Sequence, residues 1–252
     1  MLPKKQLLPY DPVPDMDLVQ PVLDHIRTVL TGLSDKDAAQ SPEKKAEQLF
    51  KEKYILEWLA AGLQQRRKLG VLLVFHGLAG AGKDILFQEI FSRIYGDAFL
   101  SSRFPENITR FNRAEKGRLF RHLRCVDFDD AVHVRHLRSL VDDKTITLRE
   151  MCIRPFVTVD RRNCVATLTR EHDFSGIDTF ASRYAVFRVS STYAPKETDH
   201  ENVSAMKRRY FAWVLGNRTG ETLAYDADID RVAKNVYLYL MQYEGTLFRS
   251  ND

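Results

Sequence analysis

The chain of 252 residues carries 38 Lys and Arg against 34 Asp and Glu, a formal net charge of +4, and 44% of its residues are hydrophobic. This composition suits one substantial core and excludes a collagen-like or disordered chain. No apolar run approaches the roughly 20 residues of a membrane helix, prolines interrupt the start of the chain where a signal peptide would be apolar, and the three cysteines, Cys125, Cys152 and Cys164, include no Cys-x-x-Cys pair. A cytosolic protein with free thiols and no membrane partner is expected.

Residues 1–17, with Pro3, Pro9, Pro12 and Pro14, read as an extended arm. From Leu18, the spacing of Val19, Val22, Leu23, Ile26, Val29 and Leu30 predicts a helix that Gly32 can stop. Ser41-Pro42-Glu43 then reads as an N-cap, a first-turn proline and an acid favourable to the helix dipole. The helix it starts is predicted to reach about Lys68 with a turn or kink near Gly62, burying Leu49, Phe50, Ile55, Leu56, Trp58, Leu59 and Leu63.

The run Val71-Leu72-Leu73-Val74-Phe75 predicts a buried strand and residues 85–95 a helix, with Gly77-Leu78-Ala79-Gly80-Ala81-Gly82-Lys83-Asp84 between them. Gly77, Gly82 and Lys83 satisfy the pattern G-x-x-x-x-G-K, in which a glycine-rich turn and a helix N-terminus gather backbone N–H groups and a lysine around phosphates. Gly77, Gly80, Ala81, Gly82, Lys83, Asp84 and Ile85 are therefore candidate binding residues for ATP with Mg²⁺. Asp84 stands where the pattern has a Ser or Thr hydroxyl on the metal. A carboxylate is a competent ligand, and it also sets negative charge beside the phosphates.

Downstream, residues 99–112 are mixed, residues 114–122 read as helical, and Leu123-Arg124-Cys125-Val126-Asp127-Phe128 reads as a short strand ending in Asp129-Asp130-Ala131. Acids at the end of a strand beside a phosphate loop handle metal and water, so Asp129 is assigned to Mg²⁺ and Asp130 to water, with Asp127 the alternative in register with Asp129. A helix over 132–143 is followed by two strands, 145–148 and 156–159, around a basic connection. Arg149, Arg154, Arg161 and Arg162 are candidate contacts to a nucleic-acid backbone, or else solvated charge on an exposed hairpin. Between Arg103 and Arg170 fifteen Lys and Arg face nine Asp and Glu, so the basic balance of the chain is concentrated there. Strands over 164–168 and 185–189, a turn at Ser175-Gly176, a polar linker over 192–202 and two aromatic-bearing helices over 207–215 and 229–243 complete the reading.

The ordered set of landmarks resembles the superfamily 3 helicases, a branch of the AAA+ ATPases, and most closely the helicase half of phage, plasmid and poxvirus-type primase-helicases. The matching residues are Trp58-Leu59-Ala60, the loop 77–83, Arg110-Phe111-Asn112, Asp129-Asp130-Ala131, the hairpin region 148–155 and Ser182-Arg183-Tyr184, spread over residues 47–211. The resemblance implies an α/β fold: an AAA+ P-loop NTPase core with a central, mainly parallel sheet over 70–191, a helical section over 18–69 before it, and a linker and second helical section over 192–252. It also implies that Lys83 contacts the β- and γ-phosphates, that Asp129 and Asp130 serve Mg²⁺ and water, and that Arg183 is an arginine finger acting on a neighbouring subunit. It further implies a homo-oligomer, as a hexameric ring, with the hairpin tracking single-stranded DNA, and a separate primase or initiator as a possible partner, since no primase half precedes the core. Three positions depart from the pattern. They are Asp84, the strand end Thr169-Arg170-Glu171, where Thr169 or Arg170 stands in for a sensor asparagine, and Cys152 near the usual hairpin lysine.

The leading expectation is thus an ATP-dependent motor on single-stranded DNA in the replication of a mobile element or virus. The departures support an alternative, an AAA+ module that binds nucleotide or DNA without turnover, and a small-molecule kinase is a third, weaker reading because no lid or acceptor pocket is evident.

Overall fold

A computed structural model describes residues 12–103, 112–169, 183–196, 201–217 and 226–248. The helices among them are α1 (Met16–His25), which runs on into a wider π-helical turn (Ile26–Leu30), α2 (Asp35–Ala38), α3 (Pro42–Gln65), α4 (Ser92–Tyr95), α5 (Ala131–Asp142), α6 (Glu201–Val214) and α7 (Asp226–Gln242). The strands are β1 (Leu72–His76), β2 (Phe99–Arg103), β3 (Phe120–Arg124), β4 (Thr145–Leu148), β5 (Phe156–Val159), β6 (Asn163–Leu168) and β7 (Tyr184–Arg188). Five strands form one parallel sheet in the order β2-β3-β6-β1-β7, and β4 and β5 form a separate antiparallel hairpin. The architecture is α/β, with helices flanking a parallel sheet, and it is compatible with a P-loop core.

The two faces of the sheet are unequal. Leu73 and Phe75 of β1, Phe120 of β3, Val165 of β6 and Phe187 of β7 point to the larger core, which they share with α1, α3, α7 and the helix after the phosphate loop. Phe75 stacks on Phe187 at 5.2 Å between ring centroids. On the other face Leu72, Val74, Leu123, Cys164, Ala166 and Leu168 meet Leu137, Leu140 and Val141 of α5.

Helix α3 is the spine of the larger core. Ser41 caps it as expected, accepting from the Lys44 N–H at 3.1 Å with Pro42 in the first turn. Trp58 is fully buried, and its indole N–H donates to the Val71 carbonyl at the entrance to β1. The helix is continuous through Gly62. Leu49 and Phe50, expected in the core, are 51% and 61% exposed, because the first turns of α3 project beyond the elements that cover its second half. The far end of the chain returns to this helix: buried Glu57 accepts from the N–H groups of Thr246 and Leu247, and Gln64 donates to the Leu240 carbonyl.

The larger correction concerns residues 99–128. The mixed stretch contains edge strand β2, the expected helix over 114–122 is one short turn (Arg113–Glu115) followed by β3, and the strand expected over 123–128 ends at Arg124. Cys125, at φ 58, turns the chain out of the sheet there. Polar Arg121 and His122 sit inside β3 because buried partners meet them. Arg121 pairs with Glu115 at 3.0 Å, and His122 lies against Ser101 and Thr167.

Candidate nucleotide site

All five strands of the main sheet deliver their carboxyl ends to one edge, where connecting loops form a crevice. The glycine-rich loop leaves β1, an interior strand between β6 and β7, at this edge. Its crest, Leu78 to Gly80, is exposed, whereas Ala81, Gly82 and Lys83 are buried. Lys83 opens the following helix, which is π-helical over Ile85–Phe91 before α4. The Lys83 ammonium lies within the curl of the loop, donating to the Gly77 carbonyl at 2.9 Å and the Leu78 carbonyl at 2.5 Å. Burial lowers its pKa, against the neighbouring Asp84 charge, which raises it.

The loop is held from outside by both helical sections. His25 of α1 donates from Nε2 to the Gly82 carbonyl at 3.0 Å, and its Nδ1 lies 3.1 Å from the Tyr210 hydroxyl of α6. Burial pushes the His25 pKa down to about 4, opposed by that carbonyl, so the ring is neutral at neutral pH. Gly82 is at φ +99, and a Cβ there would come within 2.8 Å of both His25 and Phe211. Only glycine fits that backbone and that contact.

Asp84 is drawn away from the loop toward the sheet. Thr167 of β6 donates to its Oδ1 at 2.7 Å, and Nε2 of buried His122 lies 2.8 Å from the Thr167 hydroxyl and 3.4 Å from the same carboxylate oxygen. His122 Nδ1 meets Ser101 Oγ at 3.3 Å, which completes a polar line across three strands. Burial raises the Asp84 pKa, but the hydrogen bonds from His122 and Thr167 and the charges of His122 and Lys83 outweigh it and hold the carboxyl below its usual range.

Beside Asp84 opens a cavity of about 380 Å³, lined by Asp84, Arg103, Arg124, Cys125, Thr167 and Thr169. Thr169, the candidate at the polar strand end, therefore meets Asp84 at one cavity. Its neighbour Arg170 lies outside the described residues, as do Arg110, Phe111, Ser182 and the turn at Ser175-Gly176.

The acids expected at this edge stand elsewhere. Val126 and Phe128 turn inward to the smaller core, so Asp127 and Asp129 face solvent in the connection to α5. Asp127 Oδ1 accepts from the Asp129 N–H, and Asp130 caps α5 by accepting from the Val132 N–H at 2.7 Å and approaches His133 at 3.6 Å. Asp84 is the one carboxylate among the described residues lining the cavity, and no group of three His, Cys, Asp or Glu side chains among them is arranged to hold a metal.

Arg183 lies at the opposite edge of the sheet. Its carbonyl accepts from the Leu72 N–H at the start of β1, and its guanidinium pairs with Asp142 at 2.7 Å. A five-residue strand spans about 16 Å, so Arg183 and the phosphate loop of one chain sit a strand's length apart. On the hairpin Arg149, Arg154 and Arg161 are exposed. Arg162 is not a surface contact: it is 5% exposed and holds Asp160 through Nε at 2.7 Å and Glu115 through Nη1, while Asp160 also takes Lys68 at 2.8 Å. The end of β4, where the hairpin connection starts, is anchored by Asn112, which accepts from the Arg149 N–H and donates to the Thr147 carbonyl.

Sequence reasoning missed His25, Ser101, Arg103, His122, Arg124 and Thr167. A usable signal was the polar–apolar alternation in His122-Leu123-Arg124, which has strand period.

A parallel five-stranded α/β core with a glycine-rich lysine loop after an interior strand is compatible with a phosphate-loop class of fold. Among solved structures, the chain is similar to the A-form apo structure of the NrS-1 C-terminal region, with a TM-score of 0.61 and 18% identity over 91% of this chain and 46% of that one. It is also similar to a second apo structure of that region, with a TM-score of 0.54 and 16% identity over 92% of this chain and 54% of that one. The chain thus spans about half the length of the structures it matches. No family model and no curated protein matches it. No helix among the described residues is long and apolar enough to cross a membrane.

Proposed function

We propose that this chain is an ATP-binding module of a mobile-element or viral replication machine, acting as a motor on single-stranded DNA within a ring of identical subunits, with a separate primase or initiator as a partner. The observation that carries the reading is the lysine loop after an interior strand of a parallel sheet, with Lys83 buried inside its curl. Exchange of the Gly77 and Leu78 carbonyls for phosphate oxygens places the ammonium on the β- and γ-phosphates, in reach of the N–H groups that open the helix. Arg183, a strand's length from its own loop, is suited to a neighbouring subunit's nucleotide, where it would stabilise transition-state charge. Exposed Arg149 and Arg154 on the hairpin supply contacts to the DNA backbone.

A second reading, nucleotide binding without turnover, is favoured by a specific observation. Asp84 is tied to Thr167 and His122, and Asp129 and Asp130 are turned toward solvent and the start of α5, so activation of water is not provided for by the acids first assigned to it.

Steady-state ATP hydrolysis with and without single-stranded DNA separates the two. The motor reading expects DNA-stimulated turnover that drops by about a hundredfold or more in Lys83→Ala and in Arg183→Ala. Nucleotide binding with turnover no higher than in Lys83→Ala, at concentrations where the chain self-associates, establishes the second reading instead.

A further inference from the structure

Two arginines end neighbouring strands at the cavity beside Asp84. Arg103 ends β2 and Arg124 ends β3, and they are direct partners in the parallel register. Arg124 is in turn the register partner of Thr167 on β6, which is the partner of Phe75 on β1. Side chains at paired positions of a parallel sheet share a face and stand about 4.8 Å apart. Arg103, Arg124 and Thr167 therefore form one row along the wall of the 380 Å³ cavity, on the face that carries the phosphate-loop helix. Both arginines are exposed, and the cavity holds two guanidinium groups against the single carboxylate of Asp84. That carboxylate already accepts from Thr167.

We propose that this cavity is a polyphosphate subsite in which Arg103 and Arg124 take the place of a divalent cation, so that nucleoside triphosphates and inorganic polyphosphate bind here without Mg²⁺. The inference rests on the phosphate-loop reading above and extends it. Lys83 and the loop hold one end of the anion, and the guanidinium pair holds the other by bidentate, charge-assisted hydrogen bonds, for which planar guanidinium is better suited than ammonium. Thr167 and Thr169 add neutral hydroxyls to the same wall. The polar line Ser101, His122, Thr167 holds the Asp84 carboxylate through Thr167 and His122, and the two guanidinium groups outweigh its negative charge at the cavity wall.

The test is calorimetric titration of the full chain with ATP and with inorganic tripolyphosphate, once in Mg²⁺ and once in EDTA. The expected result is affinity that differs by less than about threefold between the two buffers and that falls about tenfold or more in EDTA for Arg103→Gln and for Arg124→Gln. Both arginines are exposed, so the variants should keep the thermal midpoint of the parent chain. A second readout uses Cys125 in the cavity wall. Tripolyphosphate in EDTA should slow its alkylation, mapped by mass spectrometry, while exposed Cys152 on the hairpin reacts unchanged. Binding that needs Mg²⁺, is lost in Lys83→Ala and is indifferent to both arginine substitutions overturns the subsite and leaves the phosphate loop standing. Absence of binding to the parent chain in either buffer overturns both.

Discussion

β1 and β3 lie in one sheet with β6 between them, run in the same direction and end at the same edge, yet they are held there by different forces. β1 is buried from Leu72 to His76 and is gripped by Phe87, Phe187 and the smaller core beneath it. β3 carries Arg121 and His122, both essentially inaccessible, in its interior. Its place depends on Glu115, which takes Arg121 and Arg162 together, and on hydroxyls from β2 and β6. The first kind of strand loses stability in proportion to the apolar surface removed. The second fails when one partner leaves a charge buried alone.

Glu115→Ala is the sharpest way to break this contrast, because it takes the acid partner of buried Arg121 and leaves Arg162 with Asp160 alone. A loss of about 3–5 kcal/mol is expected in urea unfolding. Glu115→Gln should recover part of it, whereas trimming the exposed Arg113 should cost little.

A smaller effect is expected at the end of β1, through His25. Its ring stays neutral in the fold with a pKa of about 4, below the ordinary 6.5. The unfolded chain therefore binds the proton first, and stability is fully present above about pH 6.5 and is lost as the pH falls toward 4. The expected contribution is about 3 kcal/mol. The difference in unfolding free energy between the parent chain and His25→Gln, measured at pH 7.5 and at pH 4.5, should shrink at the acid end. An unchanged difference would show that the ring does not couple the loop to α1.

Gly82→Ala comes last. Its left-handed backbone and the close approach of His25 and Phe211 predict a loss of about 1–3 kcal/mol, with nucleotide affinity falling further than stability because the substitution lies in the phosphate cradle. An equal fall in both would mean that the residue serves packing alone.

The same contrast explains how much of the molecule was readable in advance. The β1 strand, the loop after it, the N-cap at Ser41, α5 and the β4–β5 hairpin follow from local signals: an apolar run, glycine spacing, a capping residue, strand alternation between turns. β3 does not, because Arg121 is paired by Glu115 and His122 by Ser101 and Thr167, whose proximity exists only once the sheet has formed. The displaced strand end moved the acids with it. Asp127 and Asp129 were given the strand's geometry, but the left-handed turn at Cys125 had already taken the chain off the sheet. The lysine, the loop and Thr169 were legible as candidates from local signals, whereas the arginine row along β2 and β3 needed the register of β2, β3 and β6.

The interior place of β1, between β6 and β7, also sets a timetable for folding. Its two neighbours in the sheet, β6 and β7, lie about ninety and about 110 residues further along the chain, a separation that makes their pairing slow to nucleate. During synthesis Leu72, Leu73, Val74 and Phe75 emerge long before either partner exists, as an apolar segment with both hydrogen-bonding edges open. Helix α3, complete by then and able to cover one face through Trp58, is the shelter available to that segment. The helix that reads as a lead-in to the core therefore acts, while the chain is being made, as its guard against aggregation.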